Sequence, residues 1–537
     1  MKQIQKKLCL LLATIVLTGS LAACGNSAKQ ETADSTAAVS TVNSSGDTGV
    51  KAEGFPIVDE PITLSVFGQR DQNQIEWKNM LIFQEYEKKT NIKLDYQEVP
   101  AQGYAEKKSL LFASNQLPDI FLRAFLTKED MTTFGTSSQQ LVDLGQYIEK
   151  YAPNINSIFK EHNAIYNSQL APDGKIYTLP EINLSATGLL GFKQWINKDW
   201  LDKAGMKAPT TLEELKAVLI AFRDNDPNGN GKKDEIPMGI REPSSIYVLG
   251  GSFGLDHQMS DTINIENGKI HYWLTDDRFK EYLQWLNELY KEKLLWQEYY
   301  KNDRPAWRSN LANASYGVMY MPYSDVFINV ESQFTGLDPI KGPRGDQLMA
   351  DVSTGIGDPG AFAVSNSCKY PEAAVRWVDY FYSEEGSIFS RYGIEGQTYH
   401  KDEAGNPVIN DEILKAPEGF MTALGKICLT PGGANPALIS DKTDGIVASA
   451  LTKKIAAEQA GYMPEKVYAK PILSVEDTER VNTINQDLVK YRDEAVTKFI
   501  IGEYGFDKWD VYCNTINKIG MGELEQIYQK AFDKLEK

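Results

Sequence analysis

Between Ile62 and Tyr96 the chain reads strand, helix, strand, and that order restricts the fold more than anything else in it. Ile62-Thr63-Leu64-Ser65-Val66-Phe67 is a β-prone run ending at Gly68, the pattern of a strand leading into a loop. Ile75, Met80, Leu81 and Tyr86 recur at roughly helical spacing within 74–89, and Ile92-Lys93-Leu94-Asp95-Tyr96 alternates at period two. A helix between two strands makes a βαβ unit, which commits the start of the folded chain to a parallel sheet. A further short strand is expected at Asp119-Ile120-Phe121-Leu122. Helices are more frequent beyond it. Thr211 and Glu214 form a capping box ahead of Leu212, Leu215, Leu219 and Phe222. Phe279, Leu283, Leu286 and Tyr290 mark a helix over 277–291, and Pro371 opens another that carries Ala374, Trp377, Val378 and Phe381. Between them Ala361-Phe362-Ala363-Val364 reads as a strand. Strands and helices interleaved from Pro56 onward exceed what one core usually supports, which predicts an α/β protein with two cores.

Composition removes several classes. The 537 residues are 42% hydrophobic and 24% charged, which excludes a disordered or collagen-like chain. Fifty-six Lys and Arg against 73 Asp and Glu give a net charge of -17, and such a surface repels phosphate backbones, so no nucleic-acid partner is expected. No apolar run reaches the roughly 20 residues that span a membrane.

The first residues carry an address. Lys2, Lys6 and Lys7 precede an apolar stretch from Leu8 to Thr18, closed by Leu21-Ala22-Ala23-Cys24. This predicts a signal peptide over 1–23. Leu-Ala-Ala-Cys resembles the bacterial lipobox, which implies that Cys24 is acylated and becomes the new N-terminus. An ordinary secretory signal with an incidental cysteine is the alternative. Two or three acyl chains would anchor the protein stably, whereas one binds only marginally. Residues 24–55, rich in Ser, Thr, Ala, Gly and Asp, fit a flexible linker. Cys368, Cys428 and Cys513 remain in the body and allow one disulfide at most.

One segment carries sharp chemistry. Residues 224–235 read Asp-Asn-Asp-Pro-Asn-Gly-Asn-Gly-Lys-Lys-Asp-Glu. A hard divalent cation needs six to eight oxygens, and Asp or Asn at alternate positions around a glycine supplies them. Two registers fit. In the first, Asp224, Asp226 and Asn228 lead to Gly229 and Glu235. In the second, which makes every alternate residue a ligand, Asp226, Asn228 and Asn230 are followed by the Lys232 carbonyl, Asp234 and Glu235. The second is preferred, with structural Ca²⁺ as the expected ion.

No HExxH or phosphate-cradling GxxxxGK[ST] motif occurs, and the four histidines are scattered. Nothing asks for an enzyme. Aromatic residues make up 11% of the chain. Several of them sit beside polar groups in turn-like contexts, where they fit either core packing or stacking against sugar rings.

Several segments taken together are similar to a known family. Gly174-Lys175-Ile176-Tyr177-Thr178-Leu179-Pro180 is followed by Trp195-Ile196-Asn197-Lys198-Asp199-Trp200-Leu201 and by Pro209-Thr210-Thr211-Leu212-Glu213-Glu214-Leu215. The acidic loop comes next, and later Tyr392-Gly393-Ile394-Glu395-Gly396. The succession, over roughly residues 60–535, resembles the family 1 extracellular solute-binding proteins of ABC importers, in particular the large lipoproteins related to alginate-oligosaccharide-binding proteins. The resemblance implies a two-lobed, periplasmic-binding-protein-like fold with hinge strands and a ligand cleft between the lobes. It also implies calcium at Asp226, Asn228, Asn230, Lys232, Asp234 and Glu235, remote from the ligand, and a ligand-contacting segment at Glu395. Strand ends add Arg70, Asp71 and Arg123 as candidate ligand contacts. Trp195, Tyr247, Trp273, Trp307 and Tyr320 are candidate stacking platforms.

The expected layout is an N-terminal lobe mainly over 56–185, a helix-rich second lobe mainly over 186–365, and a segment over 366–537 that returns across the hinge. The expected function is that of a monomeric, non-enzymatic binding protein, lipid-anchored on the outer face of the bacterial cell membrane. It would pass an oligosaccharide to an ABC permease and touch the membrane only through its anchor. A secreted carbohydrate-active enzyme with a structural calcium is the alternative, and a binder of peptides or a lipid-linked precursor is a weaker one.

Overall fold

β1 (Ile62–Arg70) runs parallel to β2 (Ile92–Pro100) through nine register positions, from Ile62 opposite Ile92 to Arg70 opposite Pro100. The computed structural model describes residues 49–535 apart from 242, 259–260 and 447, so Cys24, the signal peptide and most of the linker lie outside the described residues. Between the two strands, α1 (Leu81–Thr90) starts later than the periodicity over 74–89 predicts. Trp77–Asn79 is a separate turn of 3₁₀ helix and Met80 is extended (φ −76°, ψ 134°). Trp77 is fully buried there, and its indole N–H donates to Gln74 Oε1 at 3.1 Å.

β3 (Ile120–Leu122) adds in parallel to the other side of β1. β4 (Lys193–Asn197) then opens a second sheet, and α2 (Leu212–Asp224) follows. The Thr211 hydroxyl accepts from the Glu214 amide at 3.2 Å, as the capping box predicts. The return bond is shifted by one residue, because Glu214 Oε2 accepts from the Thr210 amide (2.8 Å) and hydroxyl (2.7 Å). β5 (Ile236–Gly239), α3 (Asp277–Lys291), β6 (Tyr316–Met321) and β7 (Phe334–Gly336) complete that half of the chain. β8 (Phe362–Val364) returns to pair antiparallel with β3. The helices α4 (Pro371–Asp379), α5 (Glu384–Tyr392), α6 (Val475–Ile501), α7 (Trp509–Ile519) and α8 (Met521–Leu535) follow.

The first sheet has the order β8-β3-β1-β2 and the second β7-β4-β6-β5. Each has its own hydrophobic core. The first gathers residues from Ile57 to Ile182 and again from Phe362 to Ile446, and the second residues from Trp195 to Ile340 and from Ile455 to Tyr528. The chain therefore crosses between the cores three times. Its return to the first core comes before Phe362, ahead of the boundary expected at 365, and the segment after 366 is shared by both cores. All of 48–537 groups as one unit. Cys368, Cys428 and Cys513 are free thiols. No helix among the described residues is long and apolar enough to cross a membrane.

Candidate functional site

At the carboxyl end of β3 the backbone turns into the left-handed region at Arg123 (φ 49°). A non-glycine side chain rarely accepts that conformation unless its surroundings hold it there. Arg123 is fully buried, and its Nε donates to the Gly433 carbonyl at 2.9 Å. Its two terminal nitrogens, Nη1 and Nη2, are buried without a hydrogen-bond partner. A Cβ placed on Gly432 (φ 93°) would lie 2.4 Å from Nη2 and 2.8 Å from the Asp71 Cβ, so only glycine lets this turn close over the guanidinium. Gln74 fixes the turn from the other side, donating to the carbonyls of Leu429 (3.0 Å) and Pro431 (2.9 Å).

Charges of alternating sign continue from there toward the second sheet. Burial draws the Arg123 guanidinium down to about 10, against the pull of Asp71, Glu181, Tyr104 and Asp358. Glu181 follows Pro180, and its Oε2 accepts from the Asn435 amide at 2.7 Å. Burial raises this carboxyl, while Arg391 and Arg123 act to lower it. Asp358 is pushed up to about 6 by burial, although the Gly360 amide donates to it at 2.9 Å. Arg391, buried at the end of α5, donates to the Thr443 carbonyl at 3.1 Å. Asp444 accepts from the Thr187 hydroxyl, and burial pushes it too up to about 6.

Lys193, the first residue of β4, is fully buried and donates to the carbonyls of Thr187 (2.6 Å) and Leu190 (2.8 Å). Burial lowers its ammonium to about 7. It lies 4.8 Å from the centre of the Tyr323 ring. That phenol, pushed up to about 12 by burial, lies near Asp444, Arg391 and Glu181. The three cations thus donate to main-chain carbonyls rather than closing ion pairs with the acids around them.

Of the residues expected to contact ligand, Asp71 and Arg123 belong to this group. Arg70 is half-buried at the end of β1, near Glu76, whose carboxyl is held low mainly by Lys78 and to a lesser degree by Arg70. Glu395 lies apart, paired with Lys401 at 2.8 Å. The five expected stacking platforms are core residues instead. Trp195, Tyr247, Trp273, Trp307 and Tyr320 are each at most 5% exposed. The indole of Trp195 donates to the Met321 carbonyl at 3.1 Å and meets Phe327 edge-on, and that of Trp273 donates to the Asp256 carbonyl at 3.0 Å. Tyr247 packs against Trp273 and Phe279, and Arg241 covers Trp307. Tyr320 lies within β6, all six residues of which are buried. A central strand covered on both faces needs large apolar side chains on both, and the tryptophan and tyrosine supply them.

The sequence reading missed Glu181, Asp358, Arg391, Asp444 and Lys193, and noted Tyr323 only as one of the aromatics in turn-like contexts. Two had a signal beside them: Glu181 follows the Gly174–Pro180 motif, and Arg391 precedes Tyr392-Gly393.

The acidic loop lies elsewhere, between α2 and β5. Asp224, the last residue of α2, pairs with its neighbour Arg223 (2.8 and 2.9 Å). Asp226 (φ 46°) accepts from the amides of Gly229, Asn230 and Gly231 at 2.9–3.1 Å. The side-chain amides of Asn228 and Asn230 donate to Asp234 at 2.9–3.1 Å. Both carboxylate oxygens of Glu235 are buried without a partner, and burial together with Asp226 and Asp234 raises its pKa. An all-oxygen donor set with an orphaned carboxylate fits a hard divalent cation. A second group, Glu266, His271 and Asp276, is already neutralised: Arg278 bonds both acids at 2.5 and 2.6 Å. Hydrogen bonds to Asp276 and Glu525 push His271 up to about 10.

The family model for bacterial extracellular solute-binding proteins matches residues 72–388. The chain belongs to this family. Its members bind solutes for ABC transporters and are not catalysts, which sets aside the carbohydrate-active enzyme. This solute-binding protein is 24% identical over 521 residues to the fructooligosaccharide ABC transporter substrate-binding protein FusA of Streptococcus pneumoniae, covering 93% of this chain and 95% of the relative. It is 26% identical over 465 residues to the polygalacturonan/rhamnogalacturonan-binding protein YtcQ of Bacillus subtilis, covering 83% and 87%. Among solved structures, an extracellular solute-binding protein from Bifidobacterium longum subsp. infantis superposes with a TM-score of 0.76 at 24% identity, covering 89% and 99%. The alginate-binding protein AlgQ2 without calcium ion superposes with a TM-score of 0.66 at 22% identity, covering 90% and 100%. The fold is thus mixed α/β and periplasmic-binding-protein-like.

Proposed function

We propose that the protein captures an oligosaccharide outside the cell, between its two sheets, and hands it to an ABC permease. The observation that carries this reading is Arg123: a fully buried cation with two unpaired amino groups at a strand carboxyl end, where α/β folds hold their ligands. Lys193, Glu181, Arg391, Asp444 and Tyr323 extend the site toward the second sheet and give sugar hydroxyls both donors and acceptors. FusA and YtcQ, which carry saccharide ligands in their names, support the ligand class. Closing two lobes over the sugar would make contacts that exist only in the liganded state, which is what a permease can read.

Two further features belong to this reading. Acyl chains on Cys24 tether the mature protein to the outer face of the membrane, and residues 24–55 give it reach. The loop 226–235 holds Ca²⁺ through Asp226, Asn228, Asn230, the Lys232 carbonyl, Asp234 and Glu235. The ion would supply positive charge that lets the Glu235 carboxylate stay ionised while buried. The deciding experiment is calorimetry of the mature chain against defined glycans, with product analysis alongside. Saturable binding with the glycan recovered intact is expected, and cleavage or an absence of binding across the panel would overturn the proposal.

A further inference from the structure

We propose that this site selects uncharged glycans and rejects uronates, with Arg123 taking a pair of sugar oxygens rather than a carboxylate. The inference rests on the function proposed above and names its substrate class. FusA and YtcQ differ on this point, one being named for fructooligosaccharides and the other for polygalacturonan, so relatedness leaves it open.

A buried guanidinium fork is the usual partner of a carboxylate, and an acidic sugar would be the obvious occupant if Arg123 stood alone. It does not. Asp71, Glu181 and Asp358 all act on its charge, and none of them closes the fork. Beyond them come Arg391, Asp444 and Lys193. Three cations therefore face four acids. One of those cations, Lys193, is itself drawn down by burial. Burial raises Asp358 and Asp444, so their negative charge is already poorly solvated, and a further carboxylate beside them would add like charge where little screens it.

Hydrogen-bond chemistry points the same way. Ionised carboxylates only accept, and a guanidinium only donates. A hydroxyl does both, so neighbouring hydroxyls can accept from Arg123 and donate to Glu181 or Asp358 together. A uronate carboxylate can satisfy Arg123 but leaves the acids facing another acceptor. The Pro431-Gly432-Gly433 turn covers the fork, and both its glycines sit at positive φ (93° and 67°). Glycine can adopt other backbone conformations at both positions, and binding requires this turn to open against the bonds that Gln74 and Arg123 make to it.

The test is titration calorimetry of the mature protein with neutral oligosaccharides (fructo-, malto-, xylo- and manno-series) and acidic ones (galacturonate and alginate series), each at 50 and 500 mM NaCl. Expected is a neutral ligand whose Kd changes less than about threefold with salt. An acidic ligand that binds more tightly than every neutral one, and weakens at least tenfold with salt, overturns the selectivity while leaving the transport reading intact. Failure of every glycan overturns both. Two variants then locate the cause. Arg123→Lys keeps the charge and loses the fork, so neutral binding should fall about a hundredfold; unchanged affinity in a folded R123K protein would sink the assignment. Asp358→Asn removes one acid and should admit acidic glycans at least tenfold better. If D358N leaves that ratio unchanged, the charge argument fails.

Discussion

Trp195 shows how one side chain can be read in two ways from sequence and in one way from structure. Its indole is fully buried, its N–H is satisfied by Met321, and Phe327 meets it edge-on. Trp195→Ala should therefore cost about 3–5 kcal/mol in chemical denaturation and leave glycan affinity per folded molecule unchanged. A large loss of affinity at unchanged stability would return it to the binding surface. Asp358 makes the opposite prediction. Its carboxyl sits at about 6, above its unfolded value of 3.8, so the native state favours the neutral form. The penalty is absent at low pH, grows as pH rises from about 4, and is complete above about 6. Asp358→Asn should thus match the wild type near pH 4 and exceed it by up to about 3 kcal/mol at pH 7.5, from a shift of about two units. Denaturation midpoints across that range check the sign, and a variant less stable than wild type at pH 7.5 contradicts it. Arg123 and Asp71 were legible in the sequence because they follow recognisable strands. Glu181, Asp358, Arg391 and Asp444 were not, because nothing local distinguishes them among 73 acids and 56 bases until the chain's crossings bring them together.

At the scale of elements, those legible in the sequence were the ones whose periodicity is local. α3 spans Asp277–Lys291 as expected, α4 begins at Pro371, and β1, β2 and β3 fall on their anticipated runs. β4 and β6 escaped. Both are buried along their whole length, so they show no alternation, and Trp195 and Tyr320 looked like surface chemistry. The acidic loop was read from local spacing too, and its proposed calcium can be tested directly. Chelator should lower the melting temperature of the wild type, and Asp226→Ala with Glu235→Ala should melt at the chelator-treated value with or without added calcium. At a thousandfold excess over Kd, a native-only ligand adds about 4 kcal/mol. A wild type indifferent to chelator would mean that the orphaned Glu235 oxygens serve something else.

For the whole molecule, the order in which residues become available matters as much as where they end up. β8 lies against β3 although some 240 residues of sequence separate them, and α4 and α5 reach the first core only after the second has claimed Trp195 to Ile340. Residues 49–185 expressed alone should therefore show no cooperative unfolding, and adding 362–446 in trans should be needed to obtain any. A sharp melting transition from 49–185 alone would contradict this. The same crossing bears on biogenesis. A nascent chain threading outward through a secretion pore presents three strands of its opening sheet early, yet their edge partner is still on the ribosome side. Until Val364 emerges, β3 offers an unpaired flank to any passing strand, so this extracellular protein should depend on holding factors at the exit side for longer than its size alone would require.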